Sequence, residues 1–464
     1  MPISSVILAA GQGTRMKTER PKVLHRIAGK TLLEHVVCAA RTMIGKQQPI
    51  VIHGYQGDKL QQALSAQDIL WVHQTEQLGT GHAVLQALPH IPDDHRVLIL
   101  YADVPCISEN TLNRFIENTP ENALGILTAH FPDPKGLGRI IRNPQNQIIK
   151  IVEEKDASES IRAINEINSG IYIVPARYLK KWLPKLSNKN AQGEYYLTDI
   201  IEMAIAEKIL IVDTEVTHFS EVLGVNTLQQ LATLERFYQT QQAEKWMLHG
   251  VTLIDPARFD VRGTISIGQD TVIDVNVILE GNTIIGKRCA IGANCILRDV
   301  TLADDVEIRA HSIIDGAVIE TQSTVGPFAR IRPGTHLAHH SHIGNFVEIK
   351  NSSIGIASKV NHLSYIGDSE IGEQVNVGAG TITCNYDGAS KHKTIIDDYA
   401  FIGSNTSLVA PVTIHAGATI GAGSTITRDA PANQLTVARS KQQSIANWQR
   451  PVKNTEKEVD TSRR

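Results

Sequence analysis

Hydrophobic positions follow two different rhythms along this chain. Up to about residue 226, short apolar runs alternate with segments of helical spacing. Ser4–Leu8, Pro49–His53 and Val97–Tyr101 read as strands, apolar throughout, as strands buried on both faces are. Leu32, Leu33, Val36, Val37 and Ala40 keep a helical stripe over Leu32–Met43, and Lys59–Leu64 begins another helix. The alternation predicts an α/β domain over residues 1–226, Rossmann-like with a mostly parallel sheet. From Thr227 to His249 there is no Gly or Pro, and Leu228, Leu231, Leu234 and Tyr238 form a stripe before Gly250. That pattern predicts a helical linker over 227–249.

After Gly250 the period becomes six. Val261, Ile267, Ile273, Leu279, Ile285, Ile291 and Leu297 keep it, and so do Ile396, Ile402, Leu408, Ile414, Ile420 and Ile426. A small residue often follows the apolar one, as at Gly268, Gly286, Gly344 and Gly403. Each hexapeptide makes one short strand, and three make a coil that buries its apolar side chains only by stacking on its neighbours. Residues 250–464 are therefore expected to form a left-handed parallel β-helix, with a flexible tail after about Pro451. The largest break in register spans Ala379–Ile395, which predicts an exposed insertion.

Composition narrows the function classes. Acidic residues number 48 and basic ones 45, a net charge of −3, and aromatics are 5%. Neither a phosphate-backbone binder nor a base-stacking surface is suggested. The five cysteines, at 38, 106, 289, 295 and 384, form no C-x-x-C pair, which fits a reducing compartment. The N-terminal apolar run Val6–Ala10 lacks a basic leader and reads as a strand, not a signal peptide. A soluble, cytoplasmic protein without nucleic-acid or membrane partners is expected.

Candidate chemistry begins at Leu8–Met16. Gly11 and Gly13 let the backbone approach a ligand, and successive N–H groups there can cradle phosphates. The dinucleotide fingerprint fails at Met16, and a Walker A reading of Gly29-Lys30-Thr31 fails at Leu24. Arg15 and Lys22 are cations suited to a triphosphate. Asp103 follows the third strand, where ligands of open parallel sheets lie, and is a natural Mg²⁺ ligand.

Leu8–Met16 with Pro21-Lys22-Val23-Leu24-His25 resembles the signature of sugar-1-phosphate nucleotidylyltransferases. Gln74 with Leu78–His82 resembles their nucleobase loop. Tyr101–Asp103, Gly136–Arg139, Glu153, Asn168–Gly170 and Gly193–Tyr196 follow in the order of that family. With the hexapeptide half, nearly the whole chain resembles the bacterial bifunctional N-acetylglucosamine-1-phosphate uridyltransferase/glucosamine-1-phosphate acetyltransferases. The resemblance implies that Leu8, Ala9, Ala10, Gly11, Arg15, Lys22, Gln74, Gly79 and Thr80 bind UTP, beside Tyr101 and Ala102. It implies that Gly138, Glu153 and Asn168 hold N-acetylglucosamine 1-phosphate, and that Asp103 and Asn226 ligate Mg²⁺.

In the second half, Val347–Lys350, Asn361–Asp368 and Asn385–Gly388 resemble the acetyltransferase part of the same family. Arg332 and Lys350 would clamp the phosphate of glucosamine 1-phosphate, and Tyr365, Asn376 and Asn385 its sugar. Ala379, Asn385, Tyr386, Ser404, Ala422 and Arg439 would bind acetyl-CoA. His362 would be the general base, because an attacking amine must first lose its proton and imidazole titrates near neutrality. The resemblance also implies a homotrimer and a role in cell-wall and lipopolysaccharide synthesis. Other readings stay open: a nucleotidylyltransferase whose β-helix only regulates or assembles, or a β-helix that is a binding module. Lys391–Lys393 read either as contacts for coenzyme phosphates or as a solvated loop, and His339, His340 and His342 lack a nearby Cys or carboxylate in sequence to complete a metal site.

Overall fold

The computed structural model describes residues 1–11 and 13–452, so Gln12 of the glycine loop and the expected tail from 453 lie outside the described residues. The chain falls into two compact units, Met1–Val318 and the remainder from Ile319.

The first unit is built on a twisted sheet in the order Ile211–Glu215, Leu124–His130, Glu166–Pro175, Arg96–Tyr101, Ile3–Ala9, Ile50–His53, Leu70–His73. All neighbours pair in parallel except Glu166–Pro175, which is antiparallel to both of its flanking strands. Along Ile3–Ala9, Val6 and Leu8 enter one core with Ile50, Ile52 and Ile99, while Ile7 and Ala9 enter another with Val51, Leu98 and Leu100. Two buried faces explain the unbroken apolar runs. Helix Leu32–Ile44 starts in a capping box: Glu34 N–H donates to Thr31 Oγ1 at 3.1 Å, and Thr31 N–H to Glu34 Oε2 at 2.6 Å.

Helix Leu228–Leu248 is more than a spacer. Leu234 is buried and Leu231 and Tyr238 pack beside it, but Leu228 is 51% exposed and lies off the stripe. Polar anchors replace it. Glu235 accepts the Ala28 N–H at 2.9 Å. The buried Gln239 amide exchanges two hydrogen bonds of 2.8 Å with the Val261 main chain. One helix face thus holds the separate two-stranded hairpin of Arg26–Ile27 and Lys30–Thr31, and the next turn holds the first solenoid coil.

Within the first unit, Phe259–Ile267 pairs with Val277–Ile285 in parallel, eighteen residues apart at every position, as Phe259↔Val277 and Ile267↔Ile285 show. Within the second, Glu348, Tyr365 and Ile382 stack in successive coils. All thirteen of the six-period apolar residues named above are buried. The coils are those of the expected left-handed parallel β-helix. Glycines recur where coils touch: a Cβ at Gly344 would strike the Asn361 carbonyl, and one at Gly355 that of Gly372. The insertion is narrower than its sequence suggests. Ile382–Cys384 stays in the ladder, and the chain leaves it only until Thr394–Ile396. Between them Tyr386 and Lys391 form an antiparallel bridge, and Asp387 accepts the N–H groups of Ala389 and Ser390. These donors and His392 hold the Asp387 carboxyl far below the usual carboxylate range. No helix among the described residues is long and apolar enough to cross a membrane.

Candidate active sites

At the carboxyl edge of the first unit's sheet lies a cleft of about 530 Å³ lined by the residues expected to bind nucleotide, and a separate pocket of about 520 Å³ lies on Gly13, Thr14 and Tyr55. Leu8, Ala9, Ala10, Gly11, Arg15, Lys22, Gln74, Gly79, Thr80, Tyr101, Asp103 and Asn226 all line the cleft. Gly13 has φ 64°, and a Cβ there would come within 2.6 Å of Lys22 Cβ, so glycine lets the loop close over the lysine stem. Lys22 Nζ donates to Asp103 Oδ2 at 2.5 Å and to Asn226 Oδ1 at 3.2 Å. Arg15 Nη2 donates to the same Asn226 oxygen at 2.8 Å. Asp103 and Asn226 thus turn two hard oxygen donors toward one cationic centre. That donor set suits Mg²⁺, which takes few protein ligands and keeps positions for water and phosphate oxygens.

Asn226 is set by the start of the long helix. Gln230 N–H donates to Thr227 Oγ1 at 3.2 Å, while Gln230 Oε1 accepts the N–H of Thr227 at 3.1 Å and of Asn226 at 2.8 Å. Ala102 does not line the cleft. It is fully buried, and its N–H ties the strand end to the Leu8 carbonyl at 3.0 Å.

Gly138, Glu153 and Asn168 form a second cluster in the same unit. The Asn168 N–H donates to the Gly138 carbonyl at 2.9 Å, and a Cβ at Gly138 would lie 3.3 Å from Glu153 Oε1. Burial pushes the Glu153 carboxyl above its ordinary range, partly offset by the Thr198 hydroxyl. Tyr101 joins the clusters. Burial, then the charges of Glu153 and Asp103, raise its hydroxyl, which also bonds to Thr80. A Cβ at Gly170 would press to 2.6 Å from its ring.

In the second unit the expected acetyl-transfer residues fall on two lines. Along one corner, the Gly380 N–H donates to the His362 carbonyl at 3.3 Å, Asn405 to Ala379 at 2.8 Å and Gly423 to Ser404 at 2.8 Å. The Arg439 guanidinium donates to the Ala422 carbonyl at 2.5 Å. His362, Ala379, Ser404, Ala422 and Arg439 therefore occupy one corner in successive coils. His362 is exposed, and its Nδ1 lies 2.6 Å from Asn345 Oδ1, one coil back. An amide oxygen only accepts, so Nδ1 carries a proton, and in the neutral ring Nε2 keeps its lone pair.

On the neighbouring face, Asn385 is buried and donates to Asp368 at 2.5 Å, and a Cβ at Gly367 would lie 2.5 Å from the Tyr365 hydroxyl and 2.9 Å from Asn385 Nδ2. Arg332 pairs with Glu348 at 2.9 Å. The neighbouring Lys391 charge holds the Lys350 ammonium below its ordinary range. Two neighbouring cations invite an anion. Asn376 is half-buried on its own strand, and the Tyr386 ring is exposed with its hydroxyl turned to the Gly388 carbonyl at 2.6 Å.

Residues 5–202 match a MobA-like NTP transferase domain, 261–344 a GMPPB C-terminal domain, and 393–428 six repeats of the bacterial transferase hexapeptide. The curated Bifunctional protein GlmU of Marinobacter nauticus is 53% identical over 452 residues, 97% of this chain and 99% of that one. This chain belongs to the GlmU family. It is a transferase that joins a nucleotidyltransferase fold to a hexapeptide-repeat acetyltransferase fold, as GlmU's epithet of bifunctional requires. A solved Bacillus anthracis structure, described as a glucose-1-phosphate thymidylyltransferase with sucrose, covers 51% of this chain and 94% of its own. Its identity is 17% and its TM-score 0.40, too loose a likeness to bear on either site.

Several groups of this GlmU-family chain escaped sequence reasoning. Gln77 also lines the nucleotide cleft, and no spacing rule points to it; Glu194, inside the Gly193–Tyr196 run, lines it too, a placement that run alone does not give. The hold of the Thr227–Gln230 capping box on Asn226 is likewise a product of the helix start. Asn345 meets His362 only through the coil period, and Lys391 is carried to Lys350 only by the folded insertion. Among the described residues no three His, Cys, Asp or Glu side chains are arranged to hold a metal. His339 instead pairs with Glu320 at 3.0 Å, and His336 with the same carboxylate at 2.8 Å.

Proposed function

We propose that this chain makes UDP-N-acetylglucosamine in two steps, acetylating glucosamine 1-phosphate from acetyl-CoA and then transferring the uridylyl group of UTP to the product. The observation that carries the reading is the pairing, in one chain, of the Arg15–Lys22–Asp103–Asn226 cluster with the His362 corner column.

In the second unit, His362 Nε2 takes the proton of the amine as nitrogen attacks the thioester carbon and the coenzyme thiolate leaves. Asn345 holds the ring in the tautomer this needs. Arg332, Lys350 and Lys391 bind the sugar phosphate, and Tyr365, Asn376 and Asn385 the sugar. Ala379, Asn385, Tyr386, Ser404, Ala422 and Arg439 bind the coenzyme, with the Ala379 N–H offered to the developing oxyanion.

In the first unit, the phosphate oxygen of N-acetylglucosamine 1-phosphate attacks the α-phosphorus in line, and the bond to pyrophosphate breaks. An ionised phosphate needs no base, so the residues position and neutralise. Leu8–Gly11 offer main chain, Arg15 and Lys22 face the triphosphate, and Gly138, Glu153 and Asn168 hold the sugar across Tyr101. Mg²⁺, held by Asp103 and Asn226, would supply neutralisation of phosphate charge.

The same reading assigns residues 1–226 to uridylyl transfer, 227–249 to a linking helix and 250–464 to acetyl transfer, in a cytoplasmic homotrimer closed about a threefold axis. Two assays on the purified full chain test it: pyrophosphate release from UTP with N-acetylglucosamine 1-phosphate, and thiol release from acetyl-CoA with glucosamine 1-phosphate. Both are expected. Pyrophosphate release alone would leave a nucleotidylyltransferase with a merely structural β-helix. Equilibrium sedimentation tests the trimer, which a fully active monomer would exclude.

A further inference from the structure

Gln74 is 2% exposed, yet its amide edges the nucleotide cleft. Its Nε2 donates to the Gly79 carbonyl at 3.2 Å and lies 3.0 Å from His82 Nδ1. On the far side of the ring, Gln86 Nε2 lies 3.1 Å from His82 Nε2 and 3.2 Å from the His82 carbonyl. Two amide nitrogens therefore flank one imidazole. A neutral ring has one donor and one acceptor, so only one amide can turn its NH₂ to it. The other must present oxygen.

Burial decides which. A reversed Gln74 would set its oxygen against the Gly79 carbonyl with little water to relieve it. Gln86 is only half-buried, and the His82 carbonyl it would release already belongs to helix Thr80–Ala87. The relaxed arrangement is thus Gln74 donating to Nδ1, the proton on Nε2, and Gln86 accepting it. Both Gln74 N–H groups are then used. Its Oε1 has no protein partner among the described residues and is left for a ligand.

We propose that His82 sets the base selectivity of this cleft. By fixing Gln74 with its oxygen toward the ligand, it admits a base whose pairing edge carries a ring N–H, as uracil's does, and rejects one with a lone pair there, as cytosine's does. The inference rests on the reading of this cleft as the UTP site. His82 is a positioning residue, since it touches Gln74 and not the base. The Tyr195 ring also faces it, 6.4 Å between centroids.

The test compares UTP and CTP in pyrophosphate release by the full chain. His82→Phe keeps a ring and removes the acceptor. It is expected to lower the UTP-over-CTP ratio of kcat/KM roughly ten- to hundredfold, the worth of one mispaired buried polar contact, mainly through the KM for UTP. His82→Asn, which sets an amide oxygen near the Nδ1 position, is expected to restore most of the ratio. An equal loss for both nucleotides, or no recovery in His82→Asn, overturns the proposal. The ¹⁵N spectrum of histidine-labelled wild-type protein is independent of any variant's folding: protonation of His82 on Nε2 supports it, and on Nδ1 overturns it. Absence of pyrophosphate release from UTP in the wild type would instead remove the UTP reading itself, and this inference with it.

Discussion

Asn345→Ala isolates a single hydrogen bond in the acetyl-transfer site. Asn345 Oδ1 lies 2.6 Å from His362 Nδ1, and nothing else in that contact involves substrate. Removing the acceptor leaves the imidazole in place but frees it to rotate and to exchange tautomers, so that only part of the population presents a lone pair on Nε2. A neutral hydrogen bond contributes about 0.5–1.5 kcal/mol, which at about 1.4 kcal/mol per factor of ten is roughly a 2- to 12-fold loss of turnover. His362→Ala should cost far more, about 10²–10⁴-fold, the usual worth of a general base. Thiol release at saturating substrates reads both. In the double variant the Asn345 term should vanish, because the residue acts only through the ring. Asn345→Asp should keep the orientation and place a negative charge against Nδ1. That favours the protonated ring, so the acid limb of kcat/KM should move to higher pH. Wild-type turnover in Asn345→Ala, or an undiminished further loss in the His362→Ala background, would refute the argument.

Asp103→Ala should abolish uridylyl transfer and leave acetyl transfer unchanged, and uridylyl transfer persisting at ordinary Mg²⁺ would remove Asp103 from the metal site. Burial raises the Glu153 pKa above its unfolded value, so the stability this group permits is complete below the unfolded pKa and is lost as pH rises through the folded one. Glu153→Gln should therefore raise the melting temperature at alkaline pH more than at pH 4, while the KM for the sugar phosphate increases; an equal shift at both pH values would contradict this. Gln239→Ala strands the Val261 N–H and carbonyl, at about 1–3 kcal/mol for each group left unpaired, so the full chain should melt several degrees lower with both activities intact at 25 °C. For the same reason a fragment of residues 1–249 should keep uridylyl transfer but unfold more readily than the same segment within the whole chain, which parallel melts would check.

The sequence carried both folds because both are periodic. Alternate residues of Val6–Ala9 feed two cores, and that is why the run is apolar without a break. The hexapeptide residues from Val261 to Ile426 needed no tertiary information at all. Site residues were legible where a motif is contiguous, as from Leu8 to Lys22, or where a strand end delivers a carboxylate, as at Asp103. Contacts made across coils were not. Asn345 is seventeen residues from His362, and neither position is distinctive until the ladder pairs them. Lys391 was undecided because an insertion has no period, and only the folded loop turns its side chain to Lys350. Leu228 misled because it continues a helical stripe beyond the point where there is anything for the helix to pack on.

The corner that runs from His362 through Ala379, Ser404 and Ala422 to Arg439 is also a ruler. Neighbouring strands lie about 4.8 Å apart, so its four steps measure roughly 19 Å. On the proposed assignment, the reactive end of the acyl donor sits at one mark and a cation meets its remote end at another. Donor length is then read in whole coils. A deletion of one coil between Ser404 and Ala422 would draw the cation about 4.8 Å closer without touching the base. A truncated thioester would meet intact chemistry and an empty far mark, and would lose affinity before turnover.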